Sequence, residues 1–294
     1  MTIPLPVLEP LRPAAPSVPF HGLTTLWVQI TGTWCNLECT HCINASGPRD
    51  PWLKPLDSHT IRESIREAER LGVKDVYFTG GEPFLHPEIL SLLEYSLAAA
   101  PTTVLTNGTA ITEAMADALA ALARRAAYSL EVRVSLDDVD AESNDRVRGA
   151  GSWAKAVQAI TRLHARGLLP IVTATDIGAI AEEGLYERFR RFLAELGIDK
   201  PRVKILPLFP IGRLAPRDGE CLTEEMLEGF DRRLLQCAET RVVADGGIYA
   251  CPILAGLEGA RLSSGELEAA FQPASLYHTA CVTCHRTGMT CRNA

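Results

Sequence analysis

The chain has 294 residues, enough to bury a sizeable core as one large domain or two modest ones. Its apolar fraction of 47% is ordinary for a globular protein, and 29 basic against 36 acidic residues give a formal charge of −7. That balance, with no basic run longer than pairs such as Arg124-Arg125 and Arg232-Arg233, disfavours nucleic acid or an anionic membrane as the main partner, and no stretch approaches the roughly 20 apolar residues of a membrane span.

Residues 1–24 are rich in proline and lack a basic segment followed by an apolar one, so they read as an extended arm, loose or laid across the body, and not as a signal peptide. From residue 26 to about 206, short apolar runs alternate with longer amphipathic ones. Strands are predicted at 26–30, 75–79, 102–106, 130–136, 170–174 and 202–206, and helices at 57–71, 87–99, 112–124, 153–166 and 182–196. Asp57 or Ser58 is placed to cap the first helix, and Gly72, Gly167 and Gly197 follow three helices as C-terminal caps. Six strand-helix steps of this length indicate a parallel sheet with right-handed crossovers, whose ligands collect at the carboxyl ends of the strands. An open doubly wound sheet is the plainest such fold.

After residue 207 the composition changes. Pro210, Gly212, Pro216 and Gly219 mark a loop, 223–237 reads as a helix, and 241–244 with 248–250 read as a hairpin turning at Asp245-Gly246-Gly247. Beyond Cys251 there is little periodicity and several cysteines, so a bound metal centre is a reasonable organiser.

The chemistry concentrates in two cysteine groups. Cys35-x-x-x-Cys39-x-x-Cys42 lies just past the first strand, and three thiolates this close can hold three irons of a cubane cluster while the fourth iron stays open. Zinc is the alternative, but the spacing offers no nearby fourth ligand except His41, wedged between the cysteines. Nine cysteines without an export signal suit cytoplasmic metal ligands better than disulfides. Gly80-Gly81-Glu82-Pro83 directly follows the second strand, where two glycines let backbone approach a ligand and proline fixes the exit.

In order and at matching strand ends, these two motifs resemble the signature of radical S-adenosylmethionine (radical SAM) enzymes. The resemblance shifts the expected fold to a partial (β/α)6 TIM barrel with a small C-terminal auxiliary-cluster domain. It implies a [4Fe-4S] cluster on Cys35, Cys39 and Cys42, whose open iron is chelated by the methionyl nitrogen and carboxylate of SAM. His41 then serves as a flat ring near the adenine, and the Gly80, Gly81, Glu82 and Pro83 turn receives the methionyl ammonium through its backbone and Glu82. Asn107, Ser135 and Asp137 fall where the family touches SAM or substrate, and Arg148 resembles its arginine near the SAM carboxylate; each is equally readable as a turn residue or surface charge. Thr173, Thr175, Arg202 and Lys204 are weaker candidates for substrate contact, with solvent as good an explanation.

Cys281-x-x-Cys284 followed by Cys291, with Cys251 and Cys237 upstream, resembles the auxiliary-cluster domains called SPASM or Twitch. The cysteine supply implies one auxiliary [4Fe-4S] cluster with Cys251, Cys281, Cys284 and Cys291 as its best full ligand set. Cys237 is either a ligand in place of Cys291 or Cys251, or a buried helix cysteine; Cys221 fits no pattern. A zinc site on the tail, with His278 or His285, is the structural alternative. The expected domains are an arm at 1–24, a radical SAM barrel at 25–210 and a SPASM/Twitch-like domain at 211–294.

The implied activity is reductive cleavage of SAM to a 5′-deoxyadenosyl radical that abstracts a substrate hydrogen, for oxidation or modification of a peptide or small biosynthetic metabolite. Flavodoxin or ferredoxin is the expected electron source, in the cytoplasm. Too little chain precedes residue 26 for a leader-binding domain, although a separate protein can supply one. The alternatives are a redox-neutral epimerase or rearrangement enzyme, an iron–sulfur electron carrier, and a zinc-stabilised interaction protein.

Overall fold

A computed structural model describes residues 15–178 and 184–288. The strands are β1 (Ser17–Val18), β2 (Thr25–Gln29), β3 (Asp75–Thr79), β4 (Thr102–Thr106), β5 (Leu130–Ser135), β6 (Ile171–Asp176), β7 (Arg202–Pro207), β8 (Thr240–Ala244), β9 (Gly247–Tyr249), β10 (Arg261–Ser263) and β11 (Ala274–Ser275). Among the described residues the α-helices are α1 (Ser58–Arg70), α2 (Ile89–Ala99), α3 (Glu113–Arg125), α4 (Ala141–Arg148), α5 (Ser152–Ala165), α6 (Leu185–Glu195) and α7 (Thr279–Thr287). All six strands expected between residues 26 and 206 are present.

β2 to β7 pair in parallel in chain order, making the six-strand partial barrel, a (β/α) arrangement with a smaller C-terminal region beside it. One face of each barrel strand packs under the helices. Leu26, Val28 and Ile30, Val76 and Phe78, and Val132 and Val134 join Ile61, Leu92, Leu93 and Leu163 in this outer core. The alternate residues point inward, as the two-residue period of a strand requires. Trp27 and Tyr77 meet there as stacked rings 4.3 Å apart, in a second core shared with the C-terminal region.

The sheet does not stop at residue 210. β8 lies parallel against the free edge of β2, with Thr25 opposite Thr240 and Val28 opposite Val243, and β9 and β10 continue antiparallel beyond it. The predicted hairpin is this β8–β9 pair, turning through Gly246 and Gly247 with φ of +84° and +139°. The described part of the N-terminal arm is laid along the same region: β1 pairs with β11, and His21 N donates to Ala238 O at 2.8 Å.

Two expectations change. The helix predicted at 223–237 is a series of short 3₁₀ turns, Glu225–Leu227, Arg232–Leu234 and Gln236–Ala238, because Gly229 takes a left-handed φ of +74° and breaks the run. Helix α4 was not predicted: only Val147 among its eight residues is a large apolar side chain, so no stripe advertises it. The start of the helix predicted at 182–196 and Cys291 lie outside the described residues.

The first helix start is as expected: Asp57 is extended, and its carboxylate accepts from Thr60 N at 2.9 Å. Replacing Asp57 with Ala should lower stability by about 1 kcal/mol, read as a lower urea midpoint with unchanged slope; no shift would mean that the cap contributes nothing.

Candidate active site

The loop leaving β2 carries Cys35, Cys39 and Cys42 and is held by backbone bonds at both ends. Cys35 N donates to Gly47 O at 3.0 Å, Gly47 N to Thr33 O at 3.1 Å and Thr40 N to Val147 O at 2.9 Å. Arg213, which the sequence reading missed, clamps the loop from the C-terminal side of the barrel. Its Nη1 donates to Cys39 O at 2.9 Å and its Nη2 to Ser46 O at 2.6 Å, while its backbone N donates to Cys42 O at 3.1 Å. A lone arginine after a glycine gives no sequence signal for that role.

The turn after β3 presses against this loop. Glu82 N donates to Trp34 O at 3.0 Å, and a Cβ on Gly81 would stand 2.1 Å from the same oxygen. At Gly80, φ is +136° and a Cβ would meet Thr31 Oγ1 at 2.4 Å. Both positions therefore require glycine.

Cys35, Cys39, His41, Cys42, Gly80, Gly81, Asn107, Ser135 and Arg148 all line one cavity at the carboxyl ends of the strands. The sulfurs sit in a field of donors: Leu37 N points at Cys35 Sγ (3.4 Å), Asn107 Nδ2 at the same sulfur (3.7 Å) and Ser46 N at Cys42 Sγ (3.3 Å). Donors aimed at sulfur suit thiolates. Burial pushes the Cys35 thiol up to about 12, with Leu37 N–H opposing, and raises Cys39 with Arg148 opposing. Metal binding here must therefore displace protons. Among the described residues no three His, Cys, Asp or Glu side chains converge as ligands of one ion. A cubane makes a different demand, since each thiolate binds a different iron; three cysteines on one wall, with N–H donors behind them and a glycine-only turn alongside, fit it.

Glu82 and Asp137 depart from expectation. The Glu82 carboxylate is fully buried and turned away from the cavity, accepting from Thr106 Oγ1 (2.7 Å), Asn107 N (2.7 Å) and Phe84 N (3.1 Å). It ties the ends of β3 and β4 together, while Gly80 and Gly81 of the same turn line the cavity. Pro83 opens the following 3₁₀ turn and is buried. Burial pushes the Glu82 carboxyl up to about 7, against those three donors. Asp137 is likewise occupied: its oxygens meet His41 Nε2 (2.7 Å), Arg148 Nε (2.6 Å), Arg148 Nη2 (3.0 Å) and Thr175 N (2.9 Å). Burial alone would raise its pKa, but Arg148 and His41 outweigh it and hold the carboxyl well below the usual range. Asp137 therefore orients His41 and Arg148, which do face the cavity, and His41 Nδ1 is buried without a partner among the described residues.

The second cysteine group is assembled by the C-terminal region. Cys237 precedes β8, Cys251 follows β9, and Cys281 and Cys284 lie one turn apart on α7; all four pack in the inner core. Burial, then the neighbouring Cys237 and Cys281, push the Cys251 thiol far above its ordinary value; burial and Cys237 take Cys281 up to about 12. Cys237 rises to about 11 through burial, with Arg241 opposing. Cys221, which fits no sequence pattern, donates to Tyr277 O at 3.2 Å and lies near enough to Cys281 to raise its thiol. His278 caps α7 by accepting from Ala280 N, and His285 meets Phe230 edge-on.

Arg241 was not singled out by sequence. Fully buried, it donates to the carbonyls of Ala270 (2.7 Å), Cys237 (2.9 Å), Thr240 (2.6 Å) and Gln272 (2.6 Å), and its guanidinium lies 3.8 Å from the Phe20 ring centroid. Burial lowers its pKa to about 10, with Cys237 and Cys251 opposing.

With this geometry in place, comparison with known proteins is specific. The model of the Radical SAM superfamily matches residues 30–182. The mycofactocin maturase MftC of Mycobacterium ulcerans (strain Agy99) is 37% identical over 171 residues, which cover 54% of this chain and 44% of the maturase. The chain thus spans less than half the length of that relative. Streptococcus suis SuiB bound to precursor peptide SuiA has a TM-score of 0.67 at 15% identity, over 85% of this chain and 65% of SuiB. Native anSMEcpe with bound AdoMet has a TM-score of 0.63 at 17% identity, over 84% of this chain and 80% of that one. At these identities the two structures bear on the fold alone.

Glu82→Ala should cost about 3 kcal/mol or more, because two backbone N–H groups and a hydroxyl lose a buried acceptor. The raised pKa also sets a sign. Glu82 binds its proton more tightly when folded, so its contribution is full below pH 4.5 and is lost as pH rises through about 7. The stability difference between wild type and Glu82→Ala should therefore shrink from pH 4.5 to 7 in urea titrations; a difference that grows with pH would contradict this assignment.

Proposed function

The chain belongs to the radical SAM superfamily, and on that premise we propose that it cleaves SAM reductively and takes a hydrogen atom from a peptide or small-molecule substrate held in the barrel mouth. One observation carries the reading: the cysteine triad and the Gly80-Gly81 turn open on the same cavity, which Pro252 and Ile253, directly after Cys251, also line. Cys35, Cys39 and Cys42 would hold a [4Fe-4S] cluster. When bound, such a cluster supplies one electron to SAM, giving methionine and a 5′-deoxyadenosyl radical that abstracts hydrogen from substrate.

This chain's own residues have defined tasks in that scheme. Leu37, Ser46 and Asn107 direct N–H groups at the thiolate sulfurs and stabilise their charge. The backbone at Gly80 and Gly81 lines the cavity, where it would receive an ammonium group. Arg148, fixed by Asp137, would offer its cation to a carboxylate of SAM, and His41 brings a flat ring with an unpartnered Nδ1 to the same cavity. The inner face of the barrel and the C-terminal region line the cavity with apolar side chains such as Leu105, Phe209 and Ile253, which would help to exclude water from a carbon radical.

Cys237, Cys251, Cys281 and Cys284 are proposed as the ligands of one auxiliary [4Fe-4S] cluster. The proximity of Cys237 to Cys251 and Cys281 supports its inclusion in place of Cys291. Four protein thiolates would leave the auxiliary irons no open position, which favours electron transfer over substrate ligation and a net oxidation as outcome. That the relative MftC is a maturase favours a peptide over a metabolite. A reducing protein such as flavodoxin or ferredoxin would supply the electron. The many reduced cysteines suit the cytoplasm, and no helix among the described residues is long and apolar enough to cross a membrane.

Anaerobic reconstitution should give about eight irons per chain and 5′-deoxyadenosine after dithionite reduction. Cys35→Ala should lose about four irons and all cleavage, whereas Cys237→Ala should lose about four irons and retain SAM binding. About four irons with cleavage in the wild type would remove the auxiliary cluster, and absence of both iron and cleavage would overturn the reading.

A further inference from the structure

A guanidinium stays protonated at any pH a folded protein tolerates, so burying one sets a demand for a counter-charge. Arg241 on β8 is fully buried. Its N–H groups go to the carbonyls of Cys237, Thr240, Ala270 and Gln272, and the Phe20 ring covers it, with its centroid 3.8 Å away. Carbonyl dipoles and a ring soften the cost of burial but carry no net charge. Among the described residues no carboxylate pairs with Arg241, and the side chains that act on its charge are the thiols of Cys237 and Cys251. Arg148 in the first cavity differs, because Asp137 stands 2.6 Å from its Nε.

The cation is tied to one of the proposed ligands. Nη1 donates to Cys237 O at 2.9 Å and to Thr240 O at 2.6 Å, while Nε donates to Ala270 O at 2.7 Å. Cys237 lies in the short turn Gln236–Ala238 just before β8, so turn and strand fix the guanidinium beside the second cysteine group. Four thiolates around a doubly positive iron–sulfur core leave a net anion, and reduction adds one more negative charge. Burial alone opposes that reduction, since the more highly charged state loses more solvation. A fixed cation in the same low-dielectric surroundings favours it.

We infer that Arg241 is the counter-ion of the cofactor held by the C-terminal cysteines, and that its charge raises the reduction potential of that cofactor. The inference rests on the auxiliary-cluster reading for the identity of the anion. Arg241 is a positioning residue: it contacts the Cys237 backbone and acts on the second group through its field. Its charge offsets the penalty of burial, and so makes a deeply buried group a ready one-electron acceptor.

The test is a dithionite titration with redox mediators, followed by electron paramagnetic resonance, on the anaerobically reconstituted full chain with and without SAM. The signal that SAM leaves unchanged belongs to the second cysteine group. Arg241→Gln should lower the midpoint potential of that signal by about 59 mV or more, a tenfold loss in the one-electron reduction equilibrium. Arg241→Lys keeps the charge and should restore most of the potential, whereas a purely structural role would make the two variants alike. Because either change disturbs the carbonyl bonds, a second pair leaves Arg241 in place. Phe20→Glu sets a carboxylate beside the guanidinium and should lower the potential, while Phe20→Gln should not; this pair decides the matter if Arg241→Gln fails to take up iron. Unmoved potentials in Arg241→Gln or Phe20→Glu, or equal shifts within either pair, would overturn the inference. Iron is counted first: about four irons per chain in the wild type would remove the auxiliary cluster and the inference with it, whereas about eight irons with unmoved potentials would overturn the inference alone.

Discussion

The close contact between the Gly80-Gly81 turn and the Trp34-Cys35 backbone is the constraint on which the site depends. A single backbone bond, Glu82 N to Trp34 O at 3.0 Å, sets the turn against the cysteine loop, and there is no room for a Cβ at either glycine. The parallel register of β2 and β3, with Gln29 opposite Thr79, brings the two strand ends level so that the contact can form. Glu82 then carries the arrangement sideways to β4 through Thr106 and Asn107, and Asn107 returns to Cys35 through its side-chain amide. The motif that looks like a ligand-binding sequence is thus also the buttress of the cysteine loop.

A similar economy governs the charged groups. Asp137 is not among the residues that line the cavity, yet it decides what the cavity presents, because His41 and Arg148 both take their orientation from it. Buried ion pairs contribute little net stability once desolvation is counted, and their value lies in fixed geometry. Arg241 is the counterpart in the C-terminal region. Its guanidinium is satisfied by four backbone carbonyls and placed beside the second cysteine group, so a lobe with little regular structure is tied together from within.

Sequence reading recovered what repeats. The six barrel strands and five of the helices announce themselves through period and caps, with bounds within a few residues of the structure where it describes them. The cysteine triad and the glycine turn were legible because their spacing carries the chemistry. What stayed hidden was long-range. Arg213 reaches Cys39 O across 174 residues, and nothing local marks it. Glu82 and Asp137 could be nominated by position, but the direction of a carboxylate depends on neighbours from other strands. The helix expected at 223–237 failed because a single left-handed glycine outweighs a weak amphipathic pattern, and α4 escaped because a short polar helix has no stripe to read.

The placement of β8 has a further consequence. β2 is flanked by β3 on one side and β8 on the other, so the strand that launches the first cysteine loop is hydrogen-bonded to the strand that follows Cys237. The triad leaves the carboxyl end of β2, whereas Cys237 stands before the amino end of β8, so the five-residue length of β2, roughly 16 Å at about 3.3 Å per residue, lies between the two strand ends. No hinge intervenes along that sheet edge. The ladder thus fixes the spacing of the two strand ends, and any change in the distance between the two cysteine groups must come from the loops that carry them beyond those ends.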